Sequence, residues 1–220
     1  MEELNCETVF TIPVLGGIPV SEAVVVTWII MAVLVVIAFI LTRNLKVDHI
    51  SKRQAVAESI VTGLLNMVQG MVGEKGKAYV PYLTTVMLYI GVSNIIGLFG
   101  FKSPTKDLRV TVALALMSII LIEAAGIYHK GVKRWLHGFV EPVAIVTPIN
   151  ILEVVTKPLS LCMRLFGNVL GAFVIMELLK MILPVGLPVV FSLYFDIFDG
   201  LLQAYVFVFL TSLYIDEITE

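Results

Sequence analysis

The feature that most constrains the fold is a set of long apolar segments that carry almost no charge. Ala23–Leu41 is a run of 19 residues without a charged side chain, which is enough for one transmembrane helix. Tyr79–Phe101 is a second uncharged segment, and Val110–Tyr128 is a third that only Glu123 interrupts. Hydrophobic residues make up 59% of the 220 residues and charged residues 15%, which is more apolar surface than a soluble domain of this length buries. The sequence therefore predicts an integral membrane protein in a lipid bilayer.

The last two apolar segments are longer than one perpendicular crossing requires. They cover about 149–183 and 185–215, which correspond to roughly 50 Å and 45 Å of helix against about 30 Å of hydrocarbon. We expect them to tilt strongly, to kink or to project from the membrane. Pro184 and Pro188 indicate a turn between the two segments, so they are predicted to form a hairpin.

The segment 52–73 has the pattern of a helix that lies on the membrane surface. Its apolar residues recur on one helix face, at Val56, Ile60, Leu64, Met67 and Met71. Polar residues interrupt the segment, so an interfacial amphipathic helix is favoured over a sixth span. The predicted fold is an all-α membrane protein with one domain over 1–220: an external tail (1–22), five membrane helices (23–41, 79–101, 110–128, 149–183 and 185–215) and the interfacial helix (52–73).

The distribution of lysine and arginine predicts the side of the membrane that each loop faces. Six of these residues lie in 42–78 and three in 129–138, whereas the N-terminal tail has none and the loop 102–109 has three. Because cytoplasmic loops carry the excess of positive charge, the tail is predicted outside and the C-terminus in the cytoplasm. The net charge of −2 provides no basic field for binding nucleic acid. No metal-ligand spacing surrounds the cysteines, and no metal or cofactor is expected.

The segment 149–183 contains ionisable side chains that are costly in an apolar helix. On a helical wheel, its polar and small residues fall within a stripe of about 80°. The members of this first polar stripe are Glu153, Lys157, Ser160, Arg164, Asn168 and Gly171. A second polar stripe, in the next segment, consists of Ser192, Asp196, Asp199, Gly200 and Gln203. The simplest packing of a hairpin turns the two stripes toward a shared polar surface.

Arg164 has two interpretations in this pattern. It could be a static ion-pair partner of Glu153, Asp196 or Asp199 that fixes helix packing. Those carboxylates lie a turn or more away along the stripe, however, and the small residues that flank the arginine allow another helix to approach closely. We therefore favour a role for Arg164 in moving an ion.

Other polar groups have two interpretations as well. Glu153 and Lys157 could be an i,i+4 pair near the cytoplasmic interface, or members of an ion path. Glu177 lies off the first stripe and about 20 Å farther along the helix axis than Arg164, toward the outside. Glu177, Glu123 and Asn94 could line a water path or be satisfied packing residues, and we favour the water path.

The run Lys157-Pro-Leu-Ser-Leu-Cys-Met-Arg-Leu-Phe-Gly-Asn168 resembles the signature of subunit a of the F-type ATP synthase membrane sector, of the bacterial type. Three other runs resemble the family in the same order along the chain: Ser103–Leu108, Asn150–Glu153 and Gln203–Phe207. The resemblance covers nearly the whole chain beyond the N-terminal tail. An ordered set of motifs is a far more specific signal than one arginine in an apolar helix.

The resemblance implies a stator subunit of a rotary ATP synthase in the bacterial cell membrane, and not an enzyme in itself. Its last two helices would be tilted along a rotating ring of c subunits, with peripheral-stalk b subunits and the rest of the complex as further partners. Two offset half-channels, one open to each side, would deliver H⁺ or Na⁺ to a ring carboxylate. The choice between the two ions would depend on side chains of the ring.

The resemblance also implies roles for individual residues. Arg164 matches the family's essential arginine, and Asn168 matches its nearby asparagine. Gln203 matches the glutamine that faces this arginine from the last helix. Glu153 matches a carboxylate on the cytoplasmic side of the site.

Two positions depart from the family's pattern. Many members carry an acidic residue where this chain has Phe173, and some have histidine where this chain has Asp196. The outer half-channel is therefore expected to use Glu177, Asp196 and Asp199.

Two other classes of protein compete with this interpretation. A self-contained secondary ion transporter is the main alternative, but such folds usually show an internal repeat, and none is visible in the sequence. An intramembrane enzyme would need a nucleophile with a base, and Ser160 has no histidine near it in the apolar segments. Only the synthase interpretation requires a c-ring, so co-purification with a c-ring separates the three.

Overall fold

The computed structural model describes residues 8–12, 18–43, 51–99, 103–138, 147–182, 186 and 191–219. Helices dominate these ranges: α1 (Glu22–Thr42), α2 (Lys52–Gln69), α3 (Val80–Ile95), α4 (Leu108–Lys130), α5 (Val132–Gly138), α6 (Thr147–Ile182) and α7 (Gly200–Thr219). Three 3₁₀ turns lie at Glu74–Tyr79, Ile96–Phe99 and Pro104–Lys106. A π-helical segment, Leu193–Asp199, leads directly into α7.

Five helical segments in the described ranges are long and apolar enough to cross a membrane. They are Glu22–Thr42, Gly76–Leu98, Leu108–Lys130, Thr147–Ile182 and Leu193–Thr219. The predicted all-α membrane fold with five spans is confirmed. The predicted ends at 101 and 183, the start at 185 and the turn at Pro184 and Pro188 lie outside the described residues.

The described part of the N-terminal tail contains a short antiparallel hairpin that the sequence analysis missed. Its strands are β1 (Thr8–Ile12) and β2 (Ile18–Ser21). Both strands contain β-branched residues, which favour an extended backbone. The hairpin runs directly into α1.

The ends of the helices follow from local chemistry. At the start of α2, the Ser51 hydroxyl accepts a hydrogen bond from the Gln54 backbone at 3.2 Å. The helix ends at Gln69, earlier than the predicted 73, in a turn that includes Gly70 and Gly73. Helix α4 ends at Lys130, and the next residue, Gly131, has a φ of 77°, which is far easier for glycine than for other residues.

The apolar core is centred on α3, α4 and α7. One cluster of buried side chains also includes residues of α1 and α6, and a second includes residues of α2. Ile90, Leu165 and Phe207 are almost fully buried in the first cluster, as are Val68 and Ile122 in the second. Helix α6 therefore packs on the core along one side, and its other side is exposed.

Candidate ion-translocation site

Arg164 lies on the exposed side of α6. The next residue, Leu165, is fully buried against the core, whereas Arg164 and its neighbour Met163 are exposed. In the part of the chain that the structure describes, no ion pair or hydrogen bond joins the Arg164 side chain to another residue. The static-partner interpretation of Arg164 therefore finds no contact with Glu153, Asp196 or Asp199.

Asn168 and Gln203 connect the two polar stripes. The Asn168 Nδ2 atom donates a hydrogen bond to Gln203 Oε1 at 3.3 Å, which joins α6 to α7 one helical turn from Arg164. Gln203 is only 4% exposed, and its Nε2 atom has no hydrogen-bond partner among the described residues. Because an unpaired buried donor is costly, this position favours an additional acceptor such as water.

Lys157 is the centre of a second polar group, which we call the inner cluster (Glu153, Lys157, Tyr214 and Glu217). Its Nζ atom lies 3.1 Å from both carboxylate oxygens of Glu217 on α7 and 3.9 Å from Glu153. It also lies 5.2 Å from the centroid of the Tyr214 ring. The predicted i,i+4 pair of Lys157 with Glu153 is present, but the shorter contact is the one with Glu217, which the sequence pattern did not predict. Glu217 lies in an acidic C-terminal run that gave no signal of a partner on another helix.

The inner cluster borders a cavity of ≈ 580 Å³ between α4, α5, α6 and α7. Charged and polar side chains dominate its lining, including Glu123, Arg134, Glu153, Lys157 and Glu217. At its edge, the Trp135 Nε1 atom donates to Glu123 Oε2 at 2.9 Å. Glu123 is therefore both hydrogen-bonded and adjacent to a polar cavity.

A third polar group, the outer cluster (Gly97, Lys106, Phe173 and Asp196), lies on the far side of Arg164. The Lys106 Nζ atom is 4.9 Å from the centroid of the Phe173 ring on α6. Asp196 lies in the π-helical segment. Its Oδ1 atom would lie 3.4 Å from a Cβ atom added at Gly97. The outer cluster therefore combines two contacts, that of Lys106 with Phe173 and that of Asp196 with Gly97.

The π-helical segment corrects the predicted geometry of the second polar stripe. The helical wheel assumed about 100° per residue from Asp196 to Gln203, as in an α-helix. Leu193–Asp199 instead has i→i+5 hydrogen bonds, so each residue turns through a smaller angle. The relative directions that the wheel assigned to Asp196, Asp199 and Gln203 are therefore wrong. Asp199 lies at the end of this segment and is partly exposed.

Glu177 is paired within its own helix. Its Oε1 atom accepts a hydrogen bond from Lys180 Nζ at 2.8 Å, and both side chains are substantially exposed. The structure thus places Glu177 beyond Phe173 on α6, with an ion-pair partner one turn away.

Asn94 is a packing residue. It is 6% exposed, donates to the Gly200 carbonyl at 2.9 Å and accepts from the Thr105 hydroxyl at 2.8 Å. Ser103 extends the network by bonding the Ser93 carbonyl at 2.7 Å. These bonds hold α3, the Pro104–Lys106 turn and the start of α7 together, so the water-path interpretation of Asn94 is not supported.

The polar groups lie in order along α6. Glu153 precedes Arg164 by eleven residues, or about 16 Å of helix, and Phe173 follows it by nine, or about 14 Å. Arg164, on an exposed helix face and without a partner in the part of the chain that the structure describes, thus lies between the inner and the outer cluster. This arrangement defines an ion-transporting multi-pass membrane protein.

Comparison with known proteins identifies the family. The family model described as ATP synthase A chain matches residues 24–216. The chain is 35% identical to ATP synthase subunit a of Moorella thermoacetica, over 91% of this chain and 92% of the relative. It is 34% identical to the sodium ion specific ATP synthase subunit a of Propionigenium modestum, over 90% of this chain and 74% of the relative. The chain is also 30% identical to ATP synthase subunit a 1 of Crocosphaera subtropica, over 90% of this chain and 86% of the relative.

The chain belongs to the ATP synthase A chain family, which confirms the resemblance to subunit a of the F-type enzyme. It is a non-catalytic membrane-sector subunit of the ATP synthase complex, with a role in ATP synthesis and ion transport.

Proposed function

We propose that this chain provides the two half-channels through which H⁺ or Na⁺ reaches and leaves a ring of c subunits, with Arg164 as the barrier between them. The observation that carries the proposal is the exposed Arg164, which has no partner among the described residues and lies between the inner and outer clusters. A carboxylate of the ring that passes this guanidinium would become ionised and release its cation, because a nearby positive charge favours the ionised form. The same charge repels any cation that would leak directly from one half-channel to the other in a low dielectric.

The exposed side of α6 is the surface that we assign to the c-ring. Only 17% of its most apolar stretch is buried within this chain, compared with 44% for the spans that contain α3 and α4. Gly167 and Gly171 lie on this helix, and a Cβ atom added at either would meet nothing within 4 Å. Small residues and open space allow a neighbouring helix to pass close to Arg164.

Each polar cluster would serve one half-channel. The inner path runs through the cavity of ≈ 580 Å³ to Glu153. The excess of lysine and arginine in the neighbouring loops supports a position on the cytoplasmic side of a bacterial cell membrane. The outer path uses Asp196, Asp199 and Glu177. The b subunits of the peripheral stalk and lipid would cover other exposed apolar surface, such as that of α1, whose most apolar stretch is only 11% buried.

The decisive experiment replaces Arg164 in the assembled complex. In purified synthase reconstituted into vesicles, Arg164→Ala should abolish ATP-driven ion uptake and coupled ATP synthesis while the c-ring still co-purifies. Arg53→Ala, which removes the same charge from an exposed position on α2, is the control and should retain both activities. Normal pumping by the Arg164 variant would overturn the proposal.

The same vesicles identify the transported ion, because ATP-driven uptake with and without sodium at fixed pH distinguishes H⁺ from Na⁺.

The outer path is tested by replacing Glu177, Asp196 and Asp199 one at a time by the corresponding amide. Each replacement should slow ion flow, and full transport in all three variants would contradict the outer path. The chain alone in vesicles should transport nothing in a coupled way, whereas a secondary transporter would.

A further inference from the structure

The inner cluster contains one lysine between two carboxylates. Glu153 and Lys157 lie four residues apart on α6, the spacing at which side chains of one helix meet. Glu217 lies on α7, 60 residues farther along the chain than Lys157. The Lys157 Nζ atom is 3.1 Å from both carboxylate oxygens of Glu217 but 3.9 Å from Glu153 Oε2. The ammonium group is therefore bound by the carboxylate of α7 more closely than by that of its own helix.

A second contact from α7 holds the ammonium group in the same place. Tyr214 precedes Glu217 by three residues, so both side chains lie on one side of α7. The Lys157 Nζ atom lies 5.2 Å from the centroid of the Tyr214 ring, and a cation over an aromatic face is stabilised. Helix α7 thus provides both a carboxylate and a ring for this one ammonium group.

The Glu153 carboxylate is only weakly paired as a result. Its side chain is 50% exposed and lines the cavity of ≈ 580 Å³, whereas that of Lys157 is 19% exposed. Within the described ranges its carboxylate accepts no hydrogen bond, and its contact with Lys157 at 3.9 Å is close to the limit of about 4 Å for an ion pair. A carboxylate in this state attracts a passing cation, because its charge is not neutralised by a close partner.

We infer that Glu217 is a positioning residue of the inner ion path, which holds the Lys157 ammonium group away from the Glu153 carboxylate. This inference rests on the proposed function, because Glu153 has a transport role only if the inner path passes it. Without the charge of Glu217, the attraction between residues four apart on a helix draws Lys157 onto Glu153. A cation that enters from the cavity would then have to displace that ammonium group.

The variant Glu217→Gln tests the inference through ATP-driven ion uptake by reconstituted synthase. It keeps the shape of the side chain and removes its charge. Uptake should slow about threefold, a modest factor because solvent screens exposed charges. Glu217→Asp, which restores the charge on a shorter side chain, should recover part of the lost rate.

The decisive variant combines Glu217→Gln with Lys157→Met. Lys157→Met keeps most of the side-chain length and removes the ammonium group that would otherwise move onto Glu153. The double variant should therefore take up ions faster than Glu217→Gln alone, and at the rate of Lys157→Met alone. A purely structural role for Glu217 predicts the opposite, since the loss of a second side chain from the same contact does not repair packing.

Glu58→Gln is the matched control, because it makes the same change at an exposed position on α2 and should leave uptake unchanged. Uptake at the native rate by Glu217→Gln, per complex with a co-purified c-ring, would overturn the inference. A double variant that is no faster than Glu217→Gln alone would overturn it as well.

Arg164→Ala, measured in the same series, separates the two proposals. If Arg164→Ala still pumps, the proposed function itself is wrong. If Arg164→Ala abolishes uptake while Lys157→Met fails to restore the rate of Glu217→Gln, only the role of Glu217 is wrong.

Discussion

Helices α3 and α6 are both apolar segments that contain polar side chains, but those side chains differ in burial and in hydrogen bonding. In α3, Asn94 is buried and hydrogen-bonded to two other segments. In α6, Arg164 is exposed and has no hydrogen bond or ion pair within the described residues. A polar group whose hydrogen bonds are satisfied inside the chain stabilises helix packing. A charge without a partner among the described residues favours a partner elsewhere, and under the proposed function that partner is a passing c subunit.

The first test of this difference replaces Arg164 by lysine, which keeps the positive charge but removes the guanidinium group. Arg164→Lys should lower ATP-driven uptake by more than about tenfold, because a lysine can lose its proton in a low dielectric and lacks the planar guanidinium. The assembled complex should have an unchanged thermal midpoint, since Arg164 has no partner to lose within the described ranges. Uptake at the native rate would show that any positive charge is sufficient.

At Asn94, in contrast, a substitution is expected to reduce stability and to leave transport almost unchanged. Asn94→Ala removes the bond that the Thr105 hydroxyl donates and the bond to the Gly200 carbonyl, so that Thr105 keeps only its bond to the Ser103 hydroxyl. The loss of two buried hydrogen bonds should destabilise the subunit by about 2–3 kcal/mol. Uptake per intact complex should change little. Chemical unfolding of the purified complex measures the first effect, with the exposed Asn66→Ala as control. A loss of transport without a loss of stability would indicate that Asn94 lines the ion path.

Gly200 and Gly171 provide a further test of the difference between the packed core and the exposed side of α6. At Gly200, an added Cβ atom would lie 2.7 Å from Asn94 Cβ, so Gly200→Ala should destabilise the subunit by about 1–2 kcal/mol through overpacking. At Gly171, nothing lies within 4 Å, so Gly171→Ala should leave the isolated subunit at least as stable. In the assembled synthase, however, Gly171→Ala should slow uptake if this face contacts the c-ring. Unaffected transport in that variant would place the ring elsewhere.

The smallest effect is expected for the ion pair between Lys157 and Glu217. The Glu217 side chain is 56% exposed, so solvent screens the pair despite its 3.1 Å distance. A double-mutant cycle of Lys157→Met and Glu217→Gln should give a coupling below about 1 kcal/mol that falls further at high salt. A larger coupling would show that the inner cavity is drier in the assembled complex than in this chain.

The number of spans, the first polar stripe and the family could be read from the residues because each depends on local properties. Length and apolarity decide whether a segment crosses a membrane, and a period of 3.6 residues places Glu153, Arg164 and Asn168 on one side of a helix. The motif around Arg164 is likewise contiguous. The angles predicted for the second stripe were wrong because the wheel assumed an α-helix, whereas a π-helical segment before Gly200 changes the angle per residue.

Only helix packing decided which polar groups meet. Lys157 contacts Glu217 60 residues away, and Asn94 bonds Gly200 106 residues away. Such contacts depend on the relative depth and rotation of helices, which the order of residues along one helix does not specify. The same packing leaves Arg164 without a partner among the residues that the structure describes, whereas Asn94 is buried and hydrogen-bonded. A costly charge in an apolar segment was visible from the start; whether the chain itself satisfies that charge is a property of the tertiary structure.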